Sequence, residues 1–166
     1  MNEMYELLFE GVDESDLFPM LEFILSKTKS HSEFTTMGFP VDVYHEKTDE
    51  EVVEFITKLK GGCIFIKRLI DLRVSDTSII RNLALRIVKY QDLFDIDMVF
   101  NYSDINLDLD CLEDERVELL MYNLQEFSYN ISKKFTVKLY CAGVEPTYDE
   151  EMRYFTNENT GPMMGR

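Results

Sequence analysis

The stretch TDEEVVEFITKLKGGCIFIKRLIDLRVS, residues 48–75, constrains the fold most. Thr48 and Glu51 stand three apart and make a capping box, in which each side chain satisfies a free backbone N–H at a helix start. Asp49, Glu50 and Glu51 crowd the first turn and Lys58 and Lys60 the last, so both ends complement the helix dipole. Gly61 and Gly62 stop the helix. Residues 63–75 are rich in β-branched side chains, and their second half alternates apolar with polar. They form one long strand, or two with a bend. A helix that ends on a glycine pair and runs directly into a strand belongs to a protein whose helices lie on a sheet.

The rest of the chain is punctuated in the same way. MYELLFEG (4–11) reads as a strand stopped by Gly11. In DESDLFPMLEFILSKTK, Asp13 or Ser15 can cap, and Leu17, Met20, Leu21, Ile24 and Leu25 recur at helical spacing to about Lys27. Pro19 fits only in the first turn. HSEFTTMGF and VDVYHE read as short extended pieces separated by Gly38 and Pro40. SDTSIIRNLALRIVKYQ predicts a helix over about 77–91. A Ser/Asp/Thr cluster stands at its start, and Ile80, Leu83, Ala84, Ile87 and Val88 form a stripe opposite Asn82, Arg86 and Lys89. IDMVFNY (96–102) predicts a strand, LEDERVELLMYNLQEFSYNISKK a long helix, and FTVKLYCAG (135–143) a last strand. In the tail, Thr147 and Glu150 make a second capping box for a short helix over about 148–155. The expected fold is therefore α/β or α+β, with a single domain over 1–143 and a tail over 144–166. Its mixed sheet has about five strands, covered by about four helices. A chain of 166 residues, 45% hydrophobic and 13% aromatic, can bury such a core.

Charge narrows the function. There are 32 Asp and Glu against 17 Lys and Arg, a formal net charge of −15. That field repels nucleic-acid backbones and anionic membrane surfaces and attracts a basic protein. The charge is segregated. Residues 58–91 carry 8 bases and 2 acids, including Lys67, Arg68, Arg73, Arg81, Arg86 and Lys89. These bases either neutralise the acidic segments within the fold or form a separate patch. The next stretch, DLFDIDMVFNYSDINLDLDCLEDE (92–115), has nine carboxylates and no base: Asp92, Asp95, Asp97, Asp104, Asp108, Asp110, Glu113, Asp114 and Glu115.

Those acids invite a test for metal. Asp104, Asn106, Asp108, Asp110 and Glu115 match five ligand positions of an EF-hand loop, but Leu109 stands where its sharp turn needs glycine. The alternation of Ile105, Leu107 and Leu109 suits an extended segment with acids on one side. His31 and His45 have no zinc-ligand spacing. No GxSxG, GxGxxG or GK[ST] occurs, so no catalytic, cofactor or metal site is assigned. Cys63, Cys111 and Cys141 are an odd, scattered set without CxxC, which points to a reducing compartment. The start, MNEMYELLFEG, lacks the basic and long apolar regions of a signal peptide. A cytoplasmic location is expected. The acidic run is expected to bind a basic protein partner, neither nucleic acid nor membrane.

In the tail, Tyr148, Tyr154 and Phe155 flank acids in a segment too short to bury them alone. They pack back on the domain or serve as aromatic anchors for the partner. The segment AGVEPTYDEEMRYFTNENTGPM (142–163) resembles a C-terminal pattern of bacterial immunity proteins of polymorphic and contact-dependent toxin systems. The matching residues are Gly143, Glu145, Pro146, Asp149, Arg153, Phe155 and Thr156. The resemblance implies a non-enzymatic, stoichiometric inhibitor that covers the basic surface of a cognate toxin domain, many such toxins being nucleases. Two other readings remain open: a small enzyme or ligand-binding domain, and a self-associating subunit.

Overall fold

The structure is a computed structural model and describes residues 3–36 and 47–159. The expected pieces over 37–46, with His45, lie outside the described residues. Among those described, nine strands form one sheet: β1 (Met4–Val12), β2 (Ser30–His31), β3 (Thr35–Thr36), β4 (Cys63–Ser75), β5 (Ser78–Tyr90), β6 (Leu93–Asn101), β7 (Ile105–Leu107), β8 (Val137–Val144) and β9 (Arg153–Thr156). Three α-helices accompany them: α1 (Leu17–Leu25), α2 (Asp49–Lys58) and α3 (Arg116–Lys134). The strand order is β2-β4-β5-β6-β1-β8-β9, with β3 also on β4 and β7 on the start of β5. Every pairing is antiparallel. The class is α+β. The expected mixed sheet of about five strands and four helices is corrected to an antiparallel sheet of nine strands with three helices, all counted among the described residues.

Two corrections account for part of that difference, and the short strands β2, β3 and β7 for the rest. Residues 78–90 are a strand, not a helix. Its buried positions are Ser78 and Ile80, then Leu83, Leu85, Ile87 and Lys89, so the alternation slips between 80 and 83. The partner strand slips at the same level: Leu69 and Leu72 are both buried, and Asp71 between them has φ 52°. The hairpin bends there, and the three-residue step it leaves in the sequence imitates helical spacing. The Ser/Asp/Thr cluster read as a helix cap is the hairpin turn, where the Ser75 hydroxyl accepts from Thr77 N at 3.2 Å. In the tail, the expected helix over 148–155 is a 3-10 turn (Glu150–Met152) followed by β9. Thr147 does not cap it; the Asp149 carboxylate does, accepting from Glu151 N at 3.3 Å.

The core lies against one face of the sheet. Tyr5, Leu7 and Phe9 of β1, Phe65 of β4, Leu85 and Ile87 of β5, and Ile96, Met98 and Phe100 of β6 are buried there. Leu17, Met20, Leu21 and Ile24 of α1, Val52, Val53 and Ile56 of α2, and Leu120, Leu124 and Ile131 of α3 join the same cluster. Pro19 falls in the first turn of α1, and the Thr48–Glu51 capping box is formed at α2. Two buried lysines clamp α2. Lys67 Nζ lies 2.9 Å from Asp49 in its first turn. Lys89 Nζ donates to the carbonyls of Ile56 (3.0 Å), Thr57 (3.1 Å) and Leu59 at its other end. A cation is favourable at a helix C-terminus, where carbonyls lack partners.

Candidate partner-binding surface

The acidic run divides into buried and exposed parts. Asp95 and Asp97 lie on β6 and face away from the helix-covered core. Asp95 is half-buried and accepts from Gly11 N at 2.9 Å; burial raises its pKa, against that hydrogen bond. Asp97 is 5% exposed and accepts from Arg86 Nε at 2.6 Å. Arg86 Nη2 also lies 3.2 Å from Glu6 and 4.0 Å from Glu145, so one guanidinium serves three carboxylates. Burial pushes the Asp97 carboxyl up to about 6, and the charges of Glu6 and Glu145 add to the rise, while Arg86 opposes it. Asp104 is half-buried and accepts from Asn101 N at 3.3 Å, closing a 3-10 turn over Tyr102–Asp104.

The other six acids are exposed. Asp92 sits in the turn from β5 to β6, and Asp108 and Asp110 follow β7. Glu113, Asp114 and Glu115 form a 3-10 turn that leads directly into α3. Among the described residues, none of these six has an ion-pair partner. Three carboxylates at the start of α3 favour its positive end. The run is extended through Ile105–Leu107, as the alternation suggested. Among the described residues, no group of three or more His, Cys, Asp or Glu side chains converges as a metal site. Two apolar side chains stand out between the acids, Leu109 and Leu112, the latter 66% exposed.

The tail aromatics separate in the same way. Tyr148 is 78% exposed. Phe155 is fully buried against Tyr140, at 6.2 Å between ring centroids, so it belongs to the core and not to a contact surface. Tyr154 is half-buried and lines a cleft of about 630 Å³ with Glu3, Tyr5, Tyr102, Leu112, Glu113, Asp114 and Val117. This cleft brings together two groups that the sequence keeps forty residues apart, the acids 113–114 and the aromatic tail. Two of its tyrosines are hydrogen-bond donors to its carboxylates: Tyr5 Oη to Glu3 at 2.8 Å, and Tyr102 Oη to Glu113. Both phenols are held above their ordinary pKa, Tyr5 chiefly by burial and Tyr102 chiefly by its bond to Glu113.

Sequence reasoning missed Glu3, Tyr5, Tyr102, Leu112 and Val117. Tyr102 and Leu112 lie inside the acidic run and could have been found as apolar residues among acids. Glu3 and Tyr5 carry no such signal. They reach the cleft because β1 pairs antiparallel with β6, Met4 opposite Asn101.

The basic segment also divides. Lys67, Arg86 and Lys89 are committed to partners inside the fold. Arg68, Arg73 and Arg81 bond neutral groups instead: Asn82 at 3.1 Å, the Ser75 carbonyl at 3.4 Å and Asn106 at 3.2 Å. The tail motif proves architectural. Thr147 N and Oγ1 donate to Glu6 at 2.8 and 2.5 Å, Arg153 Nε donates to Thr147 O at 2.7 Å, and the Thr156 hydroxyl accepts from Glu158 N and Asn159 N.

No curated protein matches the chain. The fold is similar to a chain in the 1.75 Å crystal structure of the toxic C-terminal tip of CdiA from Pseudomonas aeruginosa in complex with immune protein. The TM-score is 0.81 at 25% identity, over 99% of this chain and 100% of that one. The PABL017 Cdi1I immunity protein family matches residues 3–160. With its fold and nearly its whole length in agreement, the chain belongs to the PABL017 Cdi1I immunity protein family.

Proposed function

We propose that the chain neutralises a cognate CdiA toxin tip by binding it, and that the exposed acids of the 92–115 run form the contact surface. The observation that carries the surface is that six of those acids are exposed and, among the described residues, without a basic partner. Charges left unpaired at a surface cost little in water and act at long range on a partner of opposite sign. Asp108 and Asp110, with Leu109 exposed between them, supply steering, and the adjoining cleft supplies area to bury. The toxin face that fits is basic, as in the active-site groove of a nuclease. Covering such a groove stops the toxin without any chemistry by the inhibitor. Complementary fields of this kind carry association to about 10⁸ M⁻¹s⁻¹ at low salt.

The test has two arms. In the first, bacteria producing the cognate CdiA tip are expected to grow only when this chain is made with it. In the second, association with the purified tip is followed at low and high ionic strength. Reversal of both Asp108 and Asp110 to Lys is expected to slow association about tenfold at low salt and to flatten its salt dependence. Association kinetics identical to those of the unaltered chain at both salt concentrations would remove this surface from the contact.

A further inference from the structure

The cleft beside the acidic surface has a more specific chemistry than the surface as a whole. Three tyrosines (Tyr5, Tyr102 and Tyr154) and three carboxylates (Glu3, Glu113 and Asp114) line it, with Leu112 and Val117. Its 630 Å³ is within the range of pockets that bury a ligand. An anion is repelled by the carboxylates. A purely apolar occupant would strip water from them and return no hydrogen bond. A cation gains twice, from the negative faces of the rings and from the carboxylates.

The chain itself already sets a cation on one of these rings. The Arg116 guanidinium lies 5.9 Å from the Tyr102 ring centroid, while its Nη2 donates to the Ile105 carbonyl at 2.5 Å. Arg116 makes no ion pair with the acids of the cleft: among the described residues, none involves Glu3, Glu113 or Asp114. The positive end of α3 is also near, equivalent to roughly half a charge, but Glu113, Asp114 and Glu115 outweigh it.

We infer that the cleft is the socket for an arginine-bearing segment of the toxin tip. The guanidinium lies against the Tyr102 and Tyr154 rings, Tyr5 being buried beneath them and stacked on Phe100, and donates to Glu113 and Asp114. Arginine fits better than lysine because its planar head both stacks on a ring and forks onto a carboxylate. The room beyond one side chain admits the residues beside it, against Leu112 and Val117. This rests on the reading of the acidic surface as the side that faces the toxin.

Binding kinetics with the purified tip test the socket with variants that leave Asp108 and Asp110 in place. Leu112→Arg puts a competing cation at the mouth of the cleft, on a side chain exposed enough to change without unfolding the domain. Tyr102→Leu removes a ring face and keeps apolar bulk, whereas Tyr102→Phe keeps the ring. The expected result is dissociation about tenfold faster for Leu112→Arg and Tyr102→Leu, and near the original rate for Tyr102→Phe. If both cleft variants dissociate at the original rate while the Asp108/Asp110 reversal still slows association, the socket is wrong and the acidic surface stands. If the reversal has no effect either, both readings fall together. Should Tyr102→Leu lower the melting temperature, Leu112→Arg alone decides.

Discussion

Arg86 shows how much a single side chain can be asked to hold. Its guanidinium meets Asp97 at 2.6 Å, Glu6 at 3.2 Å and Glu145 at 4.0 Å. Burial works against its charge, but the three carboxylates together outweigh that and raise its pKa. Asp97 is in the opposite position. Its burial and two like charges outweigh the one cation it shares, and its carboxyl is pushed up to about 6 from 3.8. The contribution to stability follows from that sign. It is fully present well below pH 3.8, where the carboxyl is protonated folded and unfolded, and is lost as pH rises from there through 6. Asp97→Asn removes the ionisation. Urea denaturation between pH 4 and pH 7 is therefore expected to show the unaltered chain losing about 2 kcal/mol relative to the variant. A difference that stays constant over that range would mean that Asp97 ionises as an ordinary carboxyl.

At the scale of elements, legibility in the sequence depended on whether the cause of an element was local. The capping box and glycine pair that bound α2, the stripe of α1 and the turn-free run of α3 are local causes, and all three helices were legible. β5 was not, because the bend in its hairpin comes from pairing with β4. The step of three between Ile80 and Leu83 carries no mark of that origin. β9 was missed for a related reason: a four-residue strand has little pattern, and what holds it is β8. Gly143 permits that pairing, because a Cβ there would lie 1.9 Å from the Met152 carbonyl oxygen and 2.8 Å from Arg153 Cα. Backbone atoms cannot yield cheaply, so Gly143→Ala is expected to cost about 3 kcal/mol in thermal or chemical denaturation. The loss should be accompanied by faster amide exchange in β9, from Arg153 to Thr156. An unchanged melting temperature would show that β9 contributes little. Most residues of the tail pattern shared with immunity proteins are thus accounted for as folding devices: Gly143 for approach, Arg153 as a clamp on the Thr147 carbonyl, Phe155 in the core and Thr156 closing the end of the strand. The proposed contact lies elsewhere, on acids that belong to no motif.

The whole molecule carries −15, and only part of that charge is compensated inside. Lys67, Arg86 and Lys89 are spent on α2 and on the Asp97 cluster, which leaves the exposed acids to repel one another. Salt screens that repulsion: the Debye length falls from about 30 Å at 0.01 M to about 8 Å at 0.15 M. The free protein is therefore expected to melt roughly 3 °C higher at the higher salt, a gain of about 1 kcal/mol. The complex is expected to respond in the opposite sense, associating more slowly. A scan of melting temperature against sodium chloride checks the first, and a fall with added salt would show that favourable internal pairs dominate over surface repulsion. Among the described residues, no helix is long and apolar enough to cross a membrane. The sequence by itself determined what depends on composition and on neighbours a few residues apart: an acidic chain with a sizeable core, three helices, of which α2 has the expected cap while neither Asp13 nor Ser15 caps α1, the long strand after the glycine pair, and a tail akin to that of immunity proteins. Tertiary structure alone decided the rest: which acids are neutralised, which strands pair, and that Glu3, Tyr5, Tyr102, Glu113 and Tyr154 share one cleft. The physical reason is that ionisation, sheet register and a cavity are properties of groups brought within a few ångströms by long-range pairing, and sequence spacing records none of those distances.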